Sequence, residues 1–441
     1  MENYSKAEII QLVEDEDVEF IRLQFTDLFG VLKNVAIPSS RLIKAMENRC
    51  VIDLASLDGF VKDEETDLYL RPDLSTFTIL PWRPQQGKVA RFLCDICKED
   101  GTEYEISPRL ILKKVVEKAE KMGYSFQVNP ECEFFLFHTD DNNLPTTVTH
   151  EQAGYLDTSP VDLGENTRRD IILTLEEMGY EIDSSHHECA PAQHEIDFTF
   201  ENALATADKI MTFKMAVRTI ARRYGLHATF MPKPRTDVDG SVMHLNMRLM
   251  KDGKNVFRNE MGELSSEGEA FIAGILEHIQ GMTAIFNPLV NSYKRLVPGF
   301  EAPSDVTWSR KQREALIHFR KRMVGGLNLE LRSPDSASNP YLVFALCLAA
   351  GLDGIENNRK APAELTENIR KMSSEEKREK GIQALPENLS EALDYMEKDA
   401  LIKEVLGEKY LKAYTKAKKK EWKSYLAQVS EWELNRYLYL I

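Results

Sequence analysis

Glu131 and Glu133 lie two residues apart inside the apolar, aromatic segment 130–137, which reads as a β-strand. Side chains alternate between the two faces of a strand, so both carboxylates should point to the same side. Two like charges on one face of a mostly buried strand repel each other and lose hydration unless a cation lies between them. The pair therefore favours a divalent metal site, although taken alone it fits a solvated edge strand equally well.

A second acidic pair occurs in the segment 185–198, where Glu188 and Glu195 flank Pro191. A proline at this place excludes one continuous helix or central strand. We therefore expect two short extended pieces around a bend, which would bring both glutamates toward one pocket. The chain has no His-Glu-x-x-His spacing here, and this argues against a zinc protease.

Two further segments add candidate metal ligands. His244 follows a glycine-containing turn, and residues 327–332 alternate apolar and polar side chains with the period of a strand. Asn328, Glu330 and Arg332 should share one face of that strand. Together, the five glutamates and one histidine indicate oxygen-rich sites for Mg²⁺ or Mn²⁺ rather than sites for zinc or copper.

The composition of this 441-residue chain excludes several classes of partner. Its net charge of −15 argues against nucleic acid or an anionic membrane, because an acidic surface gains no counterion-release energy from either. It has no apolar run of about 18 residues, so no membrane span is expected. The charged N-terminal segment is unlike a signal peptide, and we expect a cytoplasmic protein.

The six cysteines are interpreted as structural thiols. Cys94 and Cys97 form a single Cys-x-x-Cys whose members should face opposite sides of a strand, so a zinc or redox role is the minor alternative. Cys132 and Cys189 neighbour candidate metal ligands. They could be sensitive to oxidation, but small buried spacers are the preferred interpretation.

The order of predicted elements indicates an α+β protein with two domains, residues 1–105 and 106–441. The first domain should contain short strands around one helix at 5–14. The second should alternate acidic strands with helices at 110–122, 167–178, 206–224, 267–286 and 339–355, and end in a charged helical segment, 390–441. Within that segment a run of lysines predicts a solvated helix face: Lys416, Lys418, Lys419 and Lys420. The final residues, 432–441, are too apolar for a free tail.

Over nearly its whole length the chain resembles the bacterial type I glutamine synthetases, in the shorter subgroup without an adenylylation segment. The resemblance is most specific at 130–133, 186–197, 233–240, 291–303 and 330–341. It implies a small N-terminal β-grasp-like domain and a large catalytic domain with a curved, mostly antiparallel sheet flanked by helices. It also implies a homo-oligomer built as a double hexameric ring, in which the C-terminal segment reaches the opposing ring.

The implied reaction is the ATP-dependent ligation of ammonia to the γ-carboxylate of L-glutamate through γ-glutamyl phosphate. Two or more Mg²⁺ or Mn²⁺ ions would serve each site. By resemblance, one ion belongs to Glu133, Glu188 and Glu195, and a second to Glu131, His244 and Glu330. The resemblance also implies that Gly240, Arg295 and Arg332 bind glutamate and that Arg313 binds ATP phosphates. Ammonium would be bound and deprotonated between two subunits, by Asp53 and Ser56 of one and by Tyr155, Glu188 and Glu301 of the next.

The chain also departs from the family pattern. His318 and Asn328 stand where the family places two more phosphate-binding arginines, and the candidate substitutes are Arg248, Arg320, Lys321 and Arg322. Other departures alter loops near the substrate: Leu54 and Ala55 in place of Gly-Ser, Asp239 in place of Asn, and Val242 in place of Gly. Lys62 replaces an arginine associated with feedback inhibition.

Three functions therefore remain open at the level of the sequence. The first is a glutamate–ammonia ligase. The second is a related ligase that uses another amine or acid, for which Leu54, Asp239 and Val242 could reshape the acceptor pocket. The third is a catalytically weak assembly or regulatory partner, which the loss of two arginines at His318 and Asn328 would favour.

Overall fold

The computed structural model describes residues 4–53, 67–83, 86–297, 301–322 and 326–441, without the side chains at 321, 322, 326 and 327. The N-terminal elements are α1 (Lys6–Asp15), β1 (Val18–Thr26), β2 (Leu32–Pro38), α2 (Leu42–Met46), β3 (Cys50–Asp53), β4 (Asp67–Pro72), β5 (Thr78–Ile79) and β6 (Lys88–Cys97). Ser5 begins α1 with a capping box, in which its side chain and that of Glu8 satisfy each other's backbone N–H groups.

The N-terminal strands form one six-stranded sheet in the order β2-β1-β6-β4-β3, with β5 paired to β6. The central pair β1–β6 is parallel, and the other pairs are antiparallel. Alternate residues of β4, among them Leu68 and Leu70, are fully buried, so one face of this sheet packs against the core. The sequence predicted one helix here, and the short α2 was missed.

The second region begins with α3 (Pro108–Lys121), β7 (Ser125–His138), α4 (Glu165–Glu176), β8 (Ile182–His187), β9 (Gln193–Phe198), β10 (Glu201–Asn202), α5 (Ala203–Arg223), β11 (Leu226–Thr229), β12 (Met243–Lys251) and β13 (Lys254–Asn255). It continues with α6 (Ser266–Phe286), β14 (Trp308–Ser309), β15 (Ile317–Arg322), β16 (Gly326–Leu331), α7 (Pro340–Glu356), α8 (Ser374–Glu379), α9 (Leu389–Met396), α10 (Ala400–Leu406), α11 (Glu408–Leu426) and α12 (Glu431–Tyr437).

The ten strands of this region form a single sheet whose main path is β14-β15-β16-β12-β7-β9-β8. Only β14–β15 is parallel among the described pairs. β7 lies at the centre and carries its apolar side chains, including Phe134 and Leu136, into the core beneath α5. The α+β class and the mostly antiparallel sheet predicted from the sequence are confirmed, and the predicted helices agree with the observed ones to within about three residues at each end.

One prediction about the C-terminal segment is wrong. Lys418 is not solvated but buried, because α11 packs against the N-terminal loop that contains Phe29. Its ammonium group lies over the rings of Phe29 and Tyr414 and pairs with Glu421 at 2.8 Å. No helix in the described part of the chain is both long enough and apolar enough to cross a membrane.

Candidate active site

The register of the ten-stranded sheet places acidic side chains of neighbouring strands side by side. Glu131 on β7 pairs with His244 on β12, and Glu133 pairs with Glu195 on β9. Glu195 pairs in turn with His186 on β8. Directly opposed residues of an antiparallel pair project from the same face. The strands therefore gather these side chains in one cleft of about 380 Å³.

Glu131, His244 and Glu330 form a buried cluster whose candidate ligand atoms all lie within 4.8 Å of one another. Nδ1 of His244 is buried and has no hydrogen-bond partner among the described residues, so it is available to a cation. One oxygen of Glu131 accepts a hydrogen bond from Asn246 (2.9 Å), and one oxygen of Glu330 accepts one from Arg332 (2.6 Å). Two carboxylates and one imidazole with an unused nitrogen are a donor set that fits Mg²⁺ or Mn²⁺.

A second cluster consists of His186, Glu188 and Glu195, again with candidate ligand atoms within 4.8 Å. Both glutamates were predicted ligands, and the predicted bend does bring them together. Glu133, the third predicted ligand, lines the same cleft, where its Oε2 accepts a hydrogen bond from the backbone N–H of Val242 (2.9 Å). This donor set is also suited to a hard divalent ion.

The electrostatics of the cleft call for added positive charge. Burial, followed by the charge of Glu330, raises the pKa of Glu131 to about 7. Burial also raises the pKa values of Glu133 and Glu195 well above their usual range. For Glu330 burial acts in the same direction, but the His318 hydrogen bond and the Arg332 charge outweigh it and hold that pKa well below normal. Divalent cations would compensate the remaining carboxylates.

Of the two predicted glutamate-binding arginines, Arg332 lines this cleft, and Arg295 is buried near enough to Glu133 for its charge to oppose the burial that raises the pKa of that carboxyl. Arg295 is 1% exposed, its Nη2 donates to the carbonyl of Ser333, and its Nε and Nη1 have no partner among the described residues. A buried guanidinium with two unused donors is suited to a carboxylate ligand. A Cβ at Gly240 would lie 2.2 Å from the carbonyl oxygen of Pro232, so only glycine fits this turn beside Arg295.

Residues predicted to bind ammonium are only partly gathered within one chain. Tyr155 and Glu301 line the cleft with Glu188, and the backbone N–H of Glu301 donates to Asp239 at 3.0 Å. Asp53 lies at the exposed end of β3 and is not among the described residues that line this cleft. Ser56 lies outside the described residues, as do Leu54, Ala55 and Lys62. The expectation that Asp53 serves a neighbouring subunit stays a prediction.

Among the candidate substitutes for the missing arginines, Arg320 and Arg248 can be compared. Arg320 lines the cleft, with its Nη1 3.5 Å from Glu131 and its Nε 3.3 Å from Glu330. Arg248 instead donates to Asn328 (2.7 Å) and stacks on Phe200, 3.7 Å from the ring centroid. Arg320 therefore joins the cleft, whereas Arg248 is engaged elsewhere. The side chains of Lys321 and Arg322 lie outside the description.

His318 and Arg313 also line the cleft, and His318 Nδ1 lies 3.4 Å from Glu330. Sequence reasoning missed His186 and Asp197 as lining residues, although each stands two positions from a predicted ligand, the spacing that puts strand residues on one face.

Cys132 and Cys189, next to the candidate metal ligands, were both predicted to be small buried residues. Cys132 is buried, but the prediction is wrong for Cys189. Cys189 is exposed because it lies at the bend after β8, at the edge of the cleft. Partial desolvation of the sulfur and the Glu188 charge raise the pKa of its thiol to about 12.

Two protein families and several individual proteins match this chain over nearly its whole length. The family "Glutamine synthetase, beta-Grasp domain" matches residues 17–99, and "Glutamine synthetase, catalytic domain" matches residues 105–437. The chain is 55% identical over 440 residues to the glutamine synthetase of Clostridium saccharobutylicum, with 99% of each chain covered. It is 48% identical over 439 residues to that of Staphylococcus aureus, covering 99% of this chain and 98% of the relative.

Two solved structures are similar as well. A structure described as a GmaS/ADP complex has a TM-score of 0.88 at 30% identity, covering 97% of this chain and 99% of that one. The glutamine synthetase of Plasmodium falciparum has a TM-score of 0.87 at 25% identity, with 99% of each chain covered.

Proposed function

The chain belongs to the glutamine synthetase family, and we propose that its cleft ligates ammonia to the γ-carboxylate of L-glutamate while ATP is converted to ADP and phosphate. Its activity is that of a glutamate–ammonia ligase, in line with relatives 48–55% identical over their full length. The observation that carries the assignment of the cleft is the pairing of two carboxylate–histidine clusters with a nearby buried arginine, Arg295, that has unused donors.

A carboxylate is a poor electrophile, so the reaction needs an acyl phosphate before an amine can attack. We assign one divalent ion to Glu131, His244 and Glu330, and another to Glu133, Glu188 and Glu195, with His186 as an added candidate ligand. Mg²⁺ or Mn²⁺ at these sites would neutralise phosphate charge and so favour phosphoryl transfer.

The chain's own residues would orient the reactants. Arg295 and Arg332 would hold the glutamate carboxylates through paired N–H donors, with the backbone of Gly240 alongside. Arg313, which lines the same cleft, would bind the ATP phosphates. Arg320 is our candidate for one of the two replaced arginines, because its guanidinium already projects among the cleft carboxylates.

Ammonium must lose a proton before its nitrogen can attack. We assign cation binding to Tyr155, Glu188 and Glu301, and the proton to Asp53, acting together with Ser56 from a neighbouring subunit. The Glu301 N–H donates to Asp239, and this bond would hold the loop over the cleft so that water is kept from the acyl phosphate.

We further infer a closed ring, a double hexamer, that acts in the cytoplasm, where ATP is available. The exposed apolar C-terminal residues, including Trp432 (65%) and Ile441 (101%), support contacts with another subunit. Shared sites give a direct test. Mixed and reassembled Asp53→Ala and Glu330→Ala proteins should regain activity that neither has alone, because some sites then combine two intact halves. Mixtures that stay inactive although they co-assemble would refute the shared site.

The function itself is tested by release of phosphate from ATP with glutamate and one amine at a time: ammonium, hydroxylamine, methylamine or putrescine. We expect the highest kcat/KM with ammonium. A preference for methylamine or putrescine would instead identify a related ligase with a different acceptor. Phosphate release with none of the amines, in protein that is folded and assembled, would identify a catalytically weak partner and refute the proposal.

A further inference from the structure

A second cavity, of about 450 Å³, lies between the N-terminal sheet and helix α5, and it shares no lining residue with the active-site cleft. Three cationic side chains line it: Arg22 from β1, and Lys214 and Arg218 from α5. No carboxylate is found among the described residues that line it. Although the chain has a net charge of −15, all the charged side chains that line this cavity are positive, which favours an anionic occupant.

Lys214 provides the strongest observation. The residue is 8% exposed, and its ammonium group, which has three N–H donors, makes one hydrogen bond, to the carbonyl of Ser338 at 3.0 Å. Burial lowers the pKa of Lys214 to about 8. Asp335 is close enough to act on that pKa, but its oxygens already accept hydrogen bonds from the Ala337 N–H and the Asn287 amide. A buried ammonium without an ion pair is costly, and a bound anion would remove that cost.

Polar groups around Lys214 are also incompletely paired. Gln24 is 1% exposed, its Nε2 faces only the weak acceptor Sδ of Met215 (3.6 Å), and its Oε1 has no partner among the described residues. A half-turn of that amide would present N–H donors in place of Oε1. Nε of Arg22 is also buried and has no hydrogen-bond partner within the part of the chain that the structure describes. Arg218 is exposed at the rim, with its guanidinium carbon 5.1 Å from the centroid of the Phe230 ring.

Apolar side chains form much of the remaining wall of the cavity, beside the polar side chains of Asn34, Thr219, Thr229 and Ser336. The apolar side chains include Leu32, Met211, Met231, Phe230 and Leu289. A fully hydrated inorganic ion would leave these walls unused, whereas a molecule with a charged head and an apolar body would contact both parts. We propose that this cavity binds a small organic anion, a carboxylate or a phosphate ester, whose head lies at Lys214 between Arg22 and Arg218.

The test uses the full-length assembled protein and two fluorinated probes, 4-(trifluoromethyl)phenylacetate and 4-(trifluoromethyl)phenyl phosphate, followed by ¹⁹F NMR titration. Lys214→Met and Arg218→Gln should each weaken probe binding on the order of tenfold or more, since each removes a charged donor. Arg222→Gln is the matched control: Arg222 is exposed near the end of the same helix and does not line the cavity. The probe with the lower Kd identifies the head group.

Because the phosphate probe could enter the active-site cleft, both probes are also titrated against Arg313→Ala. Binding that survives in Lys214→Met and Arg218→Gln but is lost in Arg313→Ala would place the anion in the cleft and overturn the proposal. Equal weakening by Arg222→Gln, or no binding to wild type, would overturn it as well. If Lys214→Met does not fold, the probe titration of Arg218→Gln decides whether the anion binds in this cavity. Loss of assembly in Arg218→Gln, measured by light scattering, would mean that a partner subunit fills the cavity instead.

Discussion

Replacing Arg320 by glutamine should weaken ATP binding, because this side chain is the described cation best placed to take over from the arginines that His318 and Asn328 replace. Its Nε and Nη1 lie 3.3 and 3.5 Å from Glu330 and Glu131, on the cleft side of β15. Nearly a third of the side chain, 29%, is exposed, so the guanidinium can turn from these carboxylates toward a polyphosphate.

The expected size follows from one charged hydrogen bond. Such a bond contributes about 1.5–3 kcal/mol, which corresponds to a Kd for ATP that is roughly 10- to 150-fold higher in Arg320→Gln. Glu131 and Glu330 are buried, so removing the Arg320 charge should also lower the free energy of unfolding, which is measured separately from ATP affinity. Arg248→Gln is the comparison, since Arg248 is held by Asn328 and Phe200 outside the cleft and should leave the Kd unchanged.

The Kd for ATP is measured by calorimetric titration at fixed Mg²⁺, and the titration is repeated with a non-hydrolysable ATP analogue as a check. Chemical denaturation gives the free energy of unfolding of each variant. Unchanged ATP affinity in Arg320→Gln, or a loss in Arg248→Gln instead, would refute the assignment. The reverse change provides a second test. His318→Arg, which restores one of the family arginines, should lower the Kd for ATP. Asn328 is fully buried, so Asn328→Arg should instead disrupt packing.

Three further predictions follow from the same structure. Glu131→Gln should abolish Mn²⁺ binding at one site in calorimetry, and with it turnover, while circular dichroism stays native; retained binding would contradict the two-metal cleft. Burial lowers the pKa of His278, but hydrogen bonds to Asp399 and Asp353 outweigh it and leave that pKa raised. The stabilisation is therefore present below the unfolded pKa of about 6.5 and is lost as pH rises through the folded pKa. His278→Gln should cost about 2 kcal/mol of unfolding free energy at pH 6 and less at pH 9; an equal loss at both would refute this. Deleting residues 432–441 should break the assembly in light scattering without lowering the Tm of the subunit; an unchanged assembly would show that these exposed residues hold no contact.

The sequence by itself determined the local elements that carry the chemistry. Period-2 alternation put Glu131 with Glu133 on one face of β7, and Pro191 separated β8 from β9, as predicted. These are consequences of strand geometry and of the missing proline N–H, which act within a few residues and need no knowledge of the rest of the fold. The class of ligand followed in the same way, from the oxygen-rich donor set.

Only the tertiary structure decided which of these residues lie together, which arginine faces the cleft and which lysine is buried. The register between β9 and β8 brought His186 to Glu195, and the path of β15 turned Arg320 rather than Arg248 toward the cleft. Packing of α11 on a distant loop buried Lys418, which sequence context alone marked as solvated. Strand register and helix docking depend on contacts between residues far apart in the chain, and a local pattern carries no information about such contacts.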